Sequence, residues 1–215
     1  MKKLLTTGIL IGVSALSYGQ GSVNFSAGAL PATRIWTNSS SGGPDGLISG
    51  AGNYFFALFV APTTIGTNYS LSFSLDPTAH GFQLVNTPVG AYGTNTASLG
   101  RMNGNPTTDG TVVAGYAAGT SANFVVVGWS GNIAGPDWYA FRALAIPESH
   151  GWVGHSAVAE AVQLGGGLIP QGTIFGGSPG QATGFRLYHI PEPSIFALMA
   201  LGAAALIISR RHRKT

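Results

Sequence analysis

The chain has 215 residues and a formal net charge of +3, from ten Lys and Arg against seven Asp and Glu, and charged residues make up only 8% of it. Cysteine is absent, which excludes thiol catalysis, Cys-based zinc sites and covalent haem attachment. A domain of this size buries a core without disulfides, so export is compatible with that absence.

The basic balance belongs to the ends. Lys2 and Lys3 open the chain, and Arg210, Arg211, Arg213 and Lys214 close it. Between them, residues 20–190 hold four arginines (34, 101, 142 and 186) against Asp45, Asp76, Asp109, Asp137, Glu148 and Glu160, a balance of −2. With no cluster of Lys and Arg there, the body lacks the electrostatic footprint of a nucleic-acid binder. Gly, Ser, Thr and Asn replace the usual charges, which fits an extracellular β-protein with an uncharged polar face and not a charge-rich disordered chain.

Taken in order, residues 1–19 have the layout of a secretory signal peptide. Two lysines precede an apolar run over 4–16, and small residues follow at Ala15 and Ser17, or Ser17 and Gly19, where signal peptidase reads the −3 and −1 positions. The apolar run is shorter than the roughly 20 residues of a membrane span.

Residues 20–190 then present short β-type runs between turn residues. Residues 22–25 alternate, 54–60 form a continuous apolar run suited to a strand buried on both faces, and 69–75 place serines between Tyr69, Leu71, Phe73 and Leu75. Further candidates lie at 82–85, 111–114, 124–127, 138–144 and 185–188. Turn chemistry separates them, at 42–46, 76–77, 103–106, 109–110 and 176–180. Residues 157–164 read as helix or strand, with glycines on both sides favouring strand, and 165–180 as a Gly-rich connection without structure of its own. The expected fold is all-β: one antiparallel β-sandwich or jelly-roll-like domain.

The C-terminal residues 191–215 form a third region. Pro191-Glu192-Pro193 precedes an uncharged run over 194–209, which as a helix would cover roughly 24 Å. That is slightly under the hydrocarbon thickness of about 30 Å, a mismatch that snorkelling arginines and local thinning absorb. The basic cluster Arg210, Arg211, Arg213 and Lys214 would hold that end in the cytoplasm by the positive-inside rule. The two prolines block helix continuation upstream and leave an extended segment outside the membrane.

The triplet, apolar span and terminal arginine cluster, in that order, resemble the PEP-CTERM sorting signal over residues 191–215. Gly-Ser-Val-Asn-Phe at 21–25 and Val-Val-Gly-Trp-Ser-Gly at 126–131 also look like segments of such proteins, without an assigned activity. The resemblance implies recognition and cleavage near Pro191-Glu192-Pro193 by an exosortase, in addition to the removal by signal peptidase that the leader itself predicts. It implies transient anchoring in the inner membrane, then delivery to the surface or matrix of a Gram-negative cell.

No constellation points to catalysis, and the expectation is a non-enzymatic protein without cofactor or metal. Gly154-His155-Ser156-Ala157-Val158 begins like a nucleophile elbow but lacks the fifth-place glycine. His150 and His155 are five apart, with Glu148 nearby, a spacing that does not share a strand face. The Asp residues sit beside Gly or Pro, as turn formers do, and nothing in the sequence fixes the facing pair that a glycosidase requires. Four tryptophans offer stacking platforms for sugar rings, with Trp129 and Trp152 preferred because both adjoin Gly-rich turns. The alternative function is therefore a carbohydrate-binding module acting on exopolysaccharide.

Overall fold

The computed structural model describes residues 19–38, 46–65, 76–144 and 151–190. They form curled sheets in a β-sandwich-like arrangement. The expected strand at 69–75 lies outside the described residues, as do most of the turn at 42–46 and the two terminal segments 1–18 and 191–215.

The centre is the antiparallel pair of β5 (Tyr54–Pro62) and β10 (Ser121–Ser130), in register from Ala122 opposite Pro62 to Ser130 opposite Tyr54. Both strands read as nearly unbroken apolar runs because both faces of this pair are covered. Period-two alternation sends Phe56, Leu58, Val60, Phe124 and Val126 to one core, and Ala57, Phe59, Ala61, Val125, Val127 and Trp129 to the other. Gly128 leaves room beside the Phe56 ring that a Cβ would crowd at 2.7 Å.

One face is closed by a three-stranded sheet in which β1 (Gln20–Asn24) lies between β9 (Thr111–Ala117) and β13 (Gly172–Thr173). Val23, Val113 and Ile174 reach the first core from it. Gln20, the first residue expected after leader removal, is thus the first residue of a central strand. The other face is closed by a short helix, α1 (Trp138–Ala143), together with Phe82 and Leu84.

Along the main sheet the order is β2 (Ser26–Ala27), β8 (Met102–Asn103), β7 (Tyr92–Asn95), β5, β10, β11 (Gly151–His155), β14 (Arg186–Ile190), β3 (Trp36–Asn38) and β4 (Gly46–Leu47). Two further strands share partners: β12 (Ala159–Gln163) pairs with the start of β10, and β6 (Gln83–Leu84) with the far end of β5.

Three expectations need correction. Residues 138–143 are helix and not strand: Asp137 caps them, and the buried residues Trp138 and Phe141 follow a spacing of three. The Gly-rich stretch 165–180 contains β13, held by parallel pairing with Val23 and Asn24 of β1. The sheets are also mixed, since β14 runs parallel to β3 as β13 does to β1. The segment at 157–164 contains strand β12 (Ala159–Gln163), the strand that its bracketing glycines favour over a helix.

Candidate functional site

Strand β14 brings the domain to its C-terminal exit. It sits inside the sheet, antiparallel to β11 on one side and parallel to β3 on the other. Leu187 is fully buried, and Phe185 just before the strand packs against Phe56 and Phe175. Gly154 lets β11 approach closely, since a Cβ there would collide with the Arg186 carbonyl. Gly151 lies opposite Ile190 and Trp152 opposite His189, the Trp152 and His189 rings meeting edge to face at 5.2 Å. The backbone N–H of Trp152 donates to Ser130 Oγ at 2.9 Å, which ties this end to the close of β10. The chain therefore arrives at Pro191 directly from a paired strand.

This arrangement defines a β-sandwich-like domain whose last strand runs without a linker into a C-terminal signal. The family model of the PEP-CTERM protein-sorting motif matches residues 189–214, so the chain carries that motif at its C-terminus. The motif marks an exported protein addressed to an exosortase. No curated protein and no solved structure matches the chain. The first two matched residues, His189 and Ile190, are also the last two of β14. Pro191, Glu192, Pro193, Arg210, Arg211, Arg213 and Lys214 lie outside the described residues. Among the described residues no helix is long and apolar enough to cross a membrane, and the run at 194–209 lies beyond them.

The tryptophans divide sharply. Trp129 has no exposed surface, stacks on Phe141 at 4.7 Å and donates its Nε1–H to the Gly135 carbonyl at 3.0 Å. Its ring faces are given to packing and not to solvent. Trp138 is buried beside it. Trp152 is half-buried and lines a groove of about 420 Å³ with Asn53, Tyr54, Phe55, Ser130 and Asn132. Trp36 is 39% exposed and Tyr188 53%, on the adjacent strands β3 and β14. Trp36 is one of the four tryptophans the sequence offers for stacking, though not one of the two preferred, and the outward direction of Tyr188 follows from inward Leu187 by alternation.

The polar candidates have local structural partners. Ser156 is fully buried, and its Oγ accepts the Val126 N–H at 3.0 Å, so it does not occupy an exposed elbow. His155 Nδ1 lies 2.9 Å from the Ser156 carbonyl; burial lowers its pKa below the ordinary histidine value, with that contact acting in the opposite direction. His150 and Glu148 lie outside the described residues. Asp76 caps the 3-10 turn Pro77–His80 and pairs with Arg142 at 2.8 Å. Asp137 caps α1 and accepts from the Tyr92 hydroxyl, which in turn accepts the Trp138 N–H. Among the described residues no group of three His, Cys, Asp or Glu is placed to hold a metal ion.

Charge is scarce, so side-chain amides carry much of the internal hydrogen bonding. Asn123, 2% exposed, donates to the Ile65 carbonyl and accepts from the Ala161 N–H. Asn95, 1% exposed, accepts from the Tyr54 N–H and donates to the Gly50 carbonyl. A carboxamide offers both donor and acceptor, and so satisfies two backbone groups without burying a charge.

Proposed function

We propose that this chain is an exported, non-enzymatic cell-surface or extracellular-matrix protein of the biofilm or exopolysaccharide layer. Signal peptidase removes residues 1–19. The span at about 194–209 then holds the protein in the inner membrane, with its basic end in the cytoplasm. An exosortase cuts near Pro191-Glu192-Pro193 and releases the domain of residues 20–190 to the cell surface or beyond. The observation that carries this reading is the sorting motif at 189–214, joined directly to the last strand of the β-domain.

Replacing Pro191-Glu192-Pro193 with three alanines tests it. The variant should accumulate in the membrane fraction with its C-terminus retained. Surface delivery with normal trimming in that variant contradicts the reading.

A second reading, binding of exopolysaccharide by the domain itself, is favoured by the exposed rings of Trp36 and Tyr188 on neighbouring strands. Aromatic faces turned to water are suited to stacking on sugar rings. Retention on purified exopolysaccharide that is lost in Trp36→Ala or Tyr188→Ala, with the fold intact, supports it. Unchanged retention, or none in the parent protein, removes it.

A further inference from the structure

We propose that the end of the main sheet from which the chain enters its sorting motif is a membrane-docking face, and that it sits in the lipid headgroup layer before processing. The proposal rests on the reading of residues 194–209 as a membrane span. Strand register fixes which end this is. Tyr54 is opposite Ser130, Trp152 is bonded through its backbone N–H to Ser130 Oγ, and Gly151 is opposite Ile190.

Only Pro191, Glu192 and Pro193 separate Ile190 from the apolar run. Fully extended, three residues reach at most about 11 Å. The polar layer on each side of the hydrocarbon is itself roughly 5–8 Å deep. The ten residues of β10, Ser121–Ser130, extend about 33 Å. Even fully extended, the tether holds Ile190 within a few ångströms of the headgroup layer, and any less extended form places the Tyr54–Ser130–Ile190 end in it, while Ser121 is at the opposite end of β10.

The chemistry of that end suits the position. Its groove of about 420 Å³ is lined by the half-buried aromatic rings of Tyr54, Phe55 and Trp152 and by the neutral side chains of Asn53, Ser130 and Asn132, with no charged side chain among the described residues that line it. Tyr and Trp, apolar in body and polar at one tip, are the side chains that favour the membrane–water interface. Docking through neutral aromatic and amide side chains depends little on salt, unlike a basic patch on anionic lipid.

The natural absence of cysteine permits a direct test in the full chain. Asn53→Cys reports on the groove and Ser121→Cys on the opposite end; both positions are exposed in the domain. Each variant is produced in cells lacking the processing enzyme. Labelling by a membrane-impermeant maleimide is then compared in spheroplasts and after detergent solubilisation. N53C should label several-fold faster once detergent is added, at low and high salt alike, while S121C labels equally in both states. A flexible Gly/Ser linker inserted between Ile190 and Pro191 should abolish the protection of N53C.

N53C labelling as fast as S121C in the membrane overturns the docking face. Protection that is absent in those cells and appears only when the processing enzyme is restored in a parallel strain overturns it too, in favour of a protein partner. Asn132→Cys provides a second groove position should N53C misfold. If the full chain is absent from the membrane fraction, the span reading fails and this inference falls with it; docking alone fails if the chain is membrane-bound but N53C is unprotected.

Discussion

Trp152 lies opposite His189 in the β11–β14 ladder, two residues before the proline that opens the sorting triplet. Removal of everything after Pro193 therefore leaves every described strand intact. A chain ending at Pro193 should melt within about 1–2 °C of the membrane-extracted full-length protein, since no described contact is lost. A chain ending at Gly184 loses β14, with buried Phe185 and Leu187, and should be unfolded or strongly destabilised. Thermal melts of the two truncations by circular dichroism check both outcomes.

Asn123, like Asn95, is a buried amide on which two backbone groups depend. Asn123→Ala strands the Ala161 N–H and the Ile65 carbonyl, and Ala161 holds a positive φ of 49° that its N–H bond to Asn123 helps fix. A loss of about 2–3 kcal/mol is expected from the unsatisfied groups. Urea denaturation should show a lowered midpoint. A midpoint unchanged from the parent would mean that water replaces both bonds.

Trp129→Ala removes a fully buried ring that stacks on Phe141 and touches Trp138. The cost should be about 3–5 kcal/mol, as for other buried aromatic truncations. Trp152→Ala, at a half-buried groove position, should cost less, about 1–2 kcal/mol. Chemical denaturation of the two variants side by side gives the order directly.

His155 supplies a pH dependence. Its folded-state pKa is lowered by burial, so the unfolded chain binds a proton more readily than the folded one. The contribution is constant above the unfolded value of about 6.5 and turns unfavourable as pH falls from there toward the lower folded value. Stability of the parent should decline over that window. His155→Gln should remove this part of the decline, seen as a flatter plot of melting temperature against pH.

Much of the central sheet was legible because both β5 and β10 are continuous apolar runs of strand length. The sorting signal was legible because it is a linear motif that needs no tertiary contact. Trp129 was misjudged from its neighbouring glycines, although Val125, Val127 and Trp129 recur at period two and share one core face. The helix Trp138–Ala143 was hidden by a run of β-prone aromatics; the deciding features were the Asp137 cap and the spacing of Trp138 and Phe141. Strand β13 and the parallel pairs could not be read at all, since a Gly-Thr dipeptide becomes a strand only through its long-range bonds to β1. The sequence offers Trp36 as one of four stacking candidates without ranking it first, because ring exposure depends on which strand lies beside which.

The central claim is that the chain is exported and trimmed at its sorting motif, and intact mass spectrometry of protein recovered from the cell-surface and supernatant fractions tests it most directly. The predicted result is a species that begins after the leader and has lost the mass of the residues following the Pro191-Glu192-Pro193 region. A chain that keeps the full C-terminus through Thr215 and is found only in the inner membrane would contradict the claim.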